Sequence, residues 1–215
     1  MNPAFFYFLS RSTKPLSNYH GFDRGIPLDR FYIENFLEQN KTLVKGVCLE
    51  LLNNDYTLKY GGTNITKSDV LDIDSSNKNA NIIGDLRNLS SVADNTYDCL
   101  ILTQVLQFID DTSAAISECY RILKPEGTLL VTLPSLSRID PISGQEGDYW
   151  RFTTASASYL FRKNFKPEQT EIESLGNVRS GLYFYAGLVQ EDSSVKTLEK
   201  NDPHFPLIIT VKAQK

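Results

Sequence analysis

Apolar positions along this chain change period from one stretch to the next, and the clearest change lies between Tyr97 and Pro134. Cys99 to Leu102 is a short apolar run of the kind buried on both faces of a parallel sheet. Asp110, Asp111 and Thr112 then offer side-chain oxygens to the free amides of a helix start, and Ala115, Ile116, Cys119, Ile122 and Leu123 recur at helical spacing. Lys124-Pro125-Glu126-Gly127 stops the helix: the residue before proline is pushed out of helical geometry, and glycine permits a positive φ. Leu129 to Leu133 begins a second apolar strand, so the stretch predicts a βαβ unit.

The same alternation continues on both sides. Pro27 suits a first helical turn, and Tyr32, Ile33, Phe36 and Leu37 follow at helical spacing. Gly46 to Leu51 predicts a strand carrying Glu50 near its end, Val70 to Asp74 another ending in acid, and Asn81 to Ile83 a short third leading into Gly84-Asp85-Leu86. Later come a polar loop at 135–148, a helix over 154–163, a strand over 170–175, an aromatic helix over 178–190 and a β-branched strand over 207–213. Residues 1–24 are aromatic and turn-rich and read as an N-terminal arm or lid; residues 25–215 read as a single domain. Strands alternating with helices predict a parallel sheet covered on both faces, with ligands bound outside the carboxyl ends of its strands.

Composition removes several function classes. At 215 residues the chain suits one well-buried core, and its formal charge of −4, with scattered Lys and Arg, gives no reason to expect nucleic acid. No apolar stretch approaches the roughly 20 residues that span a bilayer, and Phe5 to Leu9 lacks the basic flank of a signal peptide; the expectation is a cytoplasmic protein without membrane insertion. The three cysteines, Cys48, Cys99 and Cys119, each fall in an apolar segment and are expected as reduced thiols. The two histidines, His20 and His204, lack a second ligand at metal-binding spacing, so no metal site is expected. Neither a nucleophile elbow nor a phosphate-binding loop occurs.

The acids at the strand ends carry the chemistry. An acid closing the second strand, Asp72 or Asp74, can accept two hydrogen bonds from a ribose diol, and Asp85 after the third can accept from an adenine amino group. Together they describe an adenosine site.

On these residues the chain resembles the class I S-adenosylmethionine-dependent methyltransferases, and among them small bacterial methyltransferase-domain proteins associated with glycosyltransferases. The likeness rests on RGIPLDRFYI at 24–33, DVLDID at 69–74, GDL at 84–86, ILTQVLQFI at 101–109 and RILKPEG at 121–127. It rests further on GDYWRFT at 147–153, GNV at 176–178 and NDPHFPLII at 201–209. The resemblance implies a Rossmann-like fold, a seven-stranded mostly parallel α/β sheet with helices on both faces and an antiparallel last strand, with S-adenosyl-L-methionine as cofactor. By position it implies Glu50 beneath the methionine part, Asp74 or Asp72 at the ribose, Asp85 and Leu86 around the adenine, and Thr103 and Gln104 on the sulfonium side. It also implies an acceptor wall at Tyr149, Trp150 and Arg151, with Asp148, Glu146 and His20 as candidate bases.

One motif departs from that family. Its first-strand acid is usually followed by GxGxG, because only glycine lets the backbone approach the cofactor without a Cβ in the way. Here Glu50 is followed by Leu51, Leu52, Asn53, Asn54, Asp55 and Tyr56. Two readings follow. The first is a methyltransferase, O-methylating a saccharide or similar small polar acceptor, in which Arg24 or Arg30 pairs with the cofactor's carboxylate in place of the glycine loop. The second is a methyltransferase-fold protein that no longer catalyses and serves as a binding or scaffolding partner in polysaccharide assembly. The aromatic helix carries surplus aromatic surface, for which core packing, pocket closure and a homodimer contact are all open.

Overall fold

The computed structural model describes residues 11–215. Residues 1–10 of the expected arm, including Phe5 to Leu9, lie outside the described residues. The remainder forms one seven-stranded sheet from β1 (Gly46–Leu51), β2 (Ile65–Asp72), β3 (Ile82–Ile83), β4 (Tyr97–Thr103), β5 (Leu123–Pro134), β6 (Thr170–Leu175) and β7 (Ile208–Gln214). Their spatial order is β3-β2-β1-β4-β5-β7-β6. β1 to β5 pair in parallel, whereas β7 runs antiparallel to both β5 and β6. The direction in which strands are added switches between β1 and β4, the kind of point at which such sheets open a crevice.

Alternation along each strand sends side chains to two cores. Leu49, Leu100, Leu102, Leu129 and Val131 pack on one face with α3 (Thr112–Ile122) and α4 (Thr154–Phe161), through Ile116, Cys119 and Phe161. Cys48, Cys99, Ile101 and Leu130 pack on the other with α1 (Leu28–Gln39), α2 (Asp55–Gly61) and α5 (Val178–Ala186), through Leu28, Leu37, Tyr56 and Phe184. The three cysteines are unpaired and buried in these layers. Among the described residues no helix is long and apolar enough to cross a membrane.

The expected βαβ unit is β4-α3-β5. Asp111 caps α3, its carboxylate accepting from the Ala114 amide at 2.9 Å. The stop at 124–127 works differently from the sequence expectation. The helix ends at Ile122, β5 begins at once at Leu123, and the residue with positive φ is Glu126 at 65°. Gly127 is needed for space: a Cβ there would stand 2.8 Å from the Lys124 carbonyl and 3.0 Å from that of Tyr97.

Three further boundaries differ. β2 starts at Ile65, because parallel pairing with β1 carries the polar Thr66, Lys67 and Ser68 into the strand, and it ends at Asp72, leaving Asp74 in the following turn. α2, not expected from sequence, begins directly after the Asn53-Asn54 pair. α5 ends at Ala186 because Gly187 takes φ 81° and closes the helix.

The segment before α1 runs along the end of α5. Leu16 donates its amide to the Ala186 carbonyl at 2.7 Å, and the Ser17 backbone lies so close to Gly187 that a Cβ there would come within 2.6 Å of the Ser17 nitrogen. Buried Ser17 accepts the amides of Tyr19 and Gly21 at 2.9 and 3.0 Å and donates to Asp23. This turn presents His20 toward the sheet, stacked on Phe184 at 5.6 Å.

Candidate functional site

Two cavities open over the carboxyl ends of β1, β2, β4 and β5, and Gln104 and Phe108 line both. The first, about 300 Å³, lies between the ends of β1, β2 and β4. The second, about 200 Å³, lies between β4, β5, α1 and the segment carrying His20. Gln104 forms the partition from an unusual backbone position, φ 55°, held because its amide donates to the Thr132 carbonyl at 2.9 Å and its Nε2 to Thr132 Oγ1 at 3.3 Å.

The first cavity has apolar walls of Leu51, Leu71, Leu86 and Ile109, with Asp72 and Asp85 at its edges. Asp72 is almost fully buried; it accepts from the Asp74 amide at 2.9 Å and from Asn77 Nδ2 at 2.7 Å. A carboxylate has about four acceptor sites, so capacity for a diol remains. Asp74 is outside the cavity, its carboxylate capping Ser76 through the backbone amide and the hydroxyl, both at 2.8 Å; those bonds hold its pKa below the usual carboxylate range. Asp85 is gripped by Arg87, whose Nε and Nη2 lie 2.9 and 2.5 Å from Oδ2, while Nη1 reaches Asp110 at 2.6 Å. This bonding depresses the Asp85 pKa.

Glu50 lines neither cavity. It is 3% exposed beneath the β1 loop and accepts the Tyr56 and Thr57 amides at 3.3 and 2.7 Å, fixing the first turn of α2. Burial pushes its pKa up to about 7, against the pull of these amides. Above it, Leu52 takes φ 70°, the left-handed conformation glycine ordinarily supplies, and stands 57% exposed at the cavity wall. The turn expected of a glycine is thus made by a leucine.

The second cavity is lined by more charged side chains. Arg30 reaches it from α1, donating to the Tyr56 hydroxyl and lying over the rings of Tyr56 and Phe22 at 5.5 and 5.8 Å. Neighbouring Asp29 is half-buried, and desolvation raises its pKa to about 6. Arg24 lines neither cavity and pairs with Asp192 at 3.4 Å. Thr103 lines this cavity only, and Gln107 is held in its wall by a 2.8 Å bond from Nε2 to the Gln104 carbonyl.

Among the candidate bases, Asp148 is occupied. Arg151 grips both its oxygens at 2.6 and 2.8 Å, and Asp148 also accepts the Asp140 amide at 2.9 Å. Burial opposes its charge, but the Arg151 fork outweighs it and lowers the pKa. Arg151 further donates to the carbonyls of Ser137 and Arg138 at 3.2 and 2.6 Å, so the pair clasps the 135–151 loop shut. Glu146 is exposed and lines neither cavity. His20 lines the second cavity, and burial together with the positive field of Arg138 lowers its pKa below 6.5, leaving a neutral imidazole at pH 7. Of the aromatic wall, Tyr149 faces the first cavity and Arg151 the second, whereas Trp150 lines neither and donates Nε1 to the Ile109 carbonyl at 2.9 Å. Asp29, Tyr56, Gln107 and Arg138 were given no role from sequence. Asp29 and Gln107 lie within the 24–33 and 101–109 motifs and Tyr56 in the run after Glu50, whereas Arg138 had no such signal.

Comparison with known proteins agrees with this architecture. Residues 45–131, which run from the start of β1 into β5, match the family model described as "Methyltransferase domain". The ubiquinone/menaquinone biosynthesis C-methyltransferase UbiE of Haemophilus ducreyi is 45% identical over 51 residues, 24% of this chain and 20% of that protein. That of Escherichia coli O1:K1 is 35% identical over 72 residues, 31% of this chain and 29% of that protein. The chain thus spans less than a third of the length of these curated relatives. Among solved structures, a SAM-dependent methyltransferase from Archaeoglobus fulgidus superposes with TM-score 0.60 at 15% identity, covering 86% of this chain and 94% of that one. Phosphoethanolamine N-methyltransferase 2 of Haemonchus contortus, in complex with S-adenosyl-L-methionine, gives 0.54 at 13% identity, covering 85% and 52%. The [4+2]-cyclase SpnF gives 0.55 at 16% identity, covering 94% and 89%. The strand order, the antiparallel β7 and the matched segment together establish that this chain carries the Rossmann-like fold of the class I methyltransferases.

Proposed function

We propose that this protein is an S-adenosylmethionine-dependent methyltransferase acting on a hydroxyl of a small polar acceptor, with cofactor and acceptor meeting at Gln104. The observation that carries the reading is the pair of adjoining cavities, one with apolar walls and acids at its edge that suit an adenosine, the other lined by several charged side chains and by His20, whose environment favours the neutral imidazole. The residues present fit the cofactor. Apolar Leu71, Leu86 and Ile109 suit a purine, Asp72 keeps acceptor capacity for a ribose diol, and Leu52 makes the turn at the cavity wall without glycine. Arg30, which reaches the second cavity beside Tyr56, suits the cofactor's carboxylate, so the methionine end shares that cavity with the acceptor.

When bound, the cofactor supplies a methyl group on a sulfonium, already activated toward displacement. The protein's part is alignment, exclusion of water and removal of a proton from the acceptor. His20 suits the last task, because its environment favours the neutral form, whereas Asp148 is committed to Arg151. The support for a saccharide acceptor is the sequence resemblance to glycosyltransferase-associated proteins alone. The C-methyl transfer named for the UbiE relatives covers too little of either chain to direct the choice. Calorimetric titration of the full chain with S-adenosylmethionine tests the reading. Saturable one-to-one binding is expected, and no heat at millimolar cofactor would overturn it.

A further inference from the structure

We propose that the acceptor bound in the second cavity carries an oxyanion, a carboxylate or a phosphate, and that Arg138 is the residue that holds it. This rests on the methyl-transfer reading above. Arg138 lines that cavity, and its Nε and one terminal nitrogen, Nη2, are shielded from solvent without any hydrogen-bond partner among the described residues. A guanidinium is charged at every accessible pH, and a buried charge left unpaired is costly, so such a group in a cavity wall marks a place for an anion.

The cavity's own carboxylates do not fill that place. Asp148 is held by the two-point Arg151 fork. Asp140 accepts the amides of Ile142 and Ser143 on Oδ2, at 2.9 and 2.8 Å, and forms no ion pair with Arg138. Asp29 sits across the cavity on α1, accepting the Arg30 amide at 2.9 Å. Meanwhile the Arg138 backbone is fixed independently of its side chain, since its carbonyl accepts from Arg151 at 2.6 Å and from the Ser137 hydroxyl at 3.0 Å. The loop around Arg138 is therefore fixed, and the Nε–Nη2 edge of its guanidinium is left without a hydrogen-bond partner. With His20 lining the same cavity, an acceptor anchored by its anionic group could present a hydroxyl to the imidazole. A planar fork binds carboxylate or phosphate through two parallel bonds, which gives orientation as well as affinity.

The test uses the full chain saturated with S-adenosylhomocysteine and titrates inorganic phosphate and acetate separately at constant ionic strength. One of the anions should bind one-to-one and move the Arg138 Nε–Hε nuclear magnetic resonance signal of the unsubstituted protein. Arg138→Gln should weaken that binding by roughly tenfold or more, leaving S-adenosylhomocysteine affinity unchanged, and Arg138→Lys, which keeps charge but loses the fork, should fall between. Preference for phosphate identifies a phosphorylated acceptor, and preference for acetate a carboxylated one. If S-adenosylhomocysteine binds but neither anion does, or if anion binding survives in Arg138→Gln, the proposal is overturned. Should Arg138→Gln fail to fold, the resonance and the Arg138→Lys titration decide in its place. Failure of S-adenosylhomocysteine itself to bind counts against the methyl-transfer reading, and Arg138-dependent phosphate binding without it would leave the anion site standing.

Discussion

The side-chain amide of Asn77 donates to the backbone carbonyl of Leu52 across 2.7 Å, and the same nitrogen lies 2.7 Å from Oδ2 of Asp72. One group outside the first cavity thus sets both the β1 loop and the acid at the end of β2. Asn77→Ala should lower S-adenosylhomocysteine affinity by about tenfold while costing about 1–2 kcal/mol of stability, the range for hydrogen bonds lost at partly buried acceptors. Calorimetry and urea unfolding check the two effects. Unchanged affinity would show that the loop and Asp72 hold their places unaided.

Leu52 pays for its left-handed backbone with strain that a glycine would not have. Its side chain is more than half exposed, so little packing is lost on removing it. Leu52→Gly should be neutral to stabilising, by up to about 1 kcal/mol after the added freedom of the unfolded chain is counted. A loss above about 2 kcal/mol in urea unfolding would mean that the leucine is held by packing.

The two acids of the β2 turn should separate cleanly. Asp72→Ala is expected to weaken S-adenosylhomocysteine binding by about a hundredfold, from the loss of charge-assisted bonds to a diol. Asp74→Ala, which removes only a local cap on Ser76, should leave the affinity within about twofold. The reverse order would move the ribose site to the turn.

For His20 the test is a pH profile. A base must be deprotonated, and the shift here favours the deprotonated form, so kcat/KM should fall on the acid side with a midpoint below 6.5 and hold level through pH 7. His20→Gln should cost about 10²-fold or more in kcat and abolish that acid limb. Retention of the limb in the variant would assign it to another group.

Glu50 makes a prediction about stability alone. Its native pKa, about 7, lies above the ordinary 4.5, so the folded protein binds this proton more tightly than the unfolded one. Its contribution is fully present below pH 4.5 and is lost as pH rises to about 7, a change on the order of 3 kcal/mol at most. Between pH 5 and 7.5 the melting temperature of the unsubstituted protein should therefore fall more steeply than that of Glu50→Gln. Parallel curves would mean that the two amides keep Glu50 ionised.

The β4-α3-β5 unit was legible because its apolar periods are long and its cap, Asp111, is one of three adjacent helix-start residues before them. The end of β2 was less so. Asp72 and Asp74 share a face in an extended chain, and which of them meets the cavity depends on where pairing with β1 stops, at Leu71, a tertiary fact. The GxGxG loop is absent from the sequence, and the structure shows its left-handed turn made at Leu52, with Asn77 on its carbonyl from 25 residues away. Arg138 left no trace in the sequence, since a lone arginine in an aperiodic loop has no pattern; its isolation exists only once Asp148 and Asp140 have found other partners.

The Asp148–Arg151 clasp separates two kinds of construction. The walls of the first cavity come mainly from strand ends and the turns that directly follow them, where any shift disturbs the sheet. Much of the second comes from a loop whose closure depends on one ion pair and a few carbonyls, and from the turn around Ser17 that rests on Gly187. Substitutions on that side can accumulate without unsettling the frame. Under the proposed methyl transfer, the acceptor side is thus the part that substitutions can reshape while the strand-end side keeps its frame.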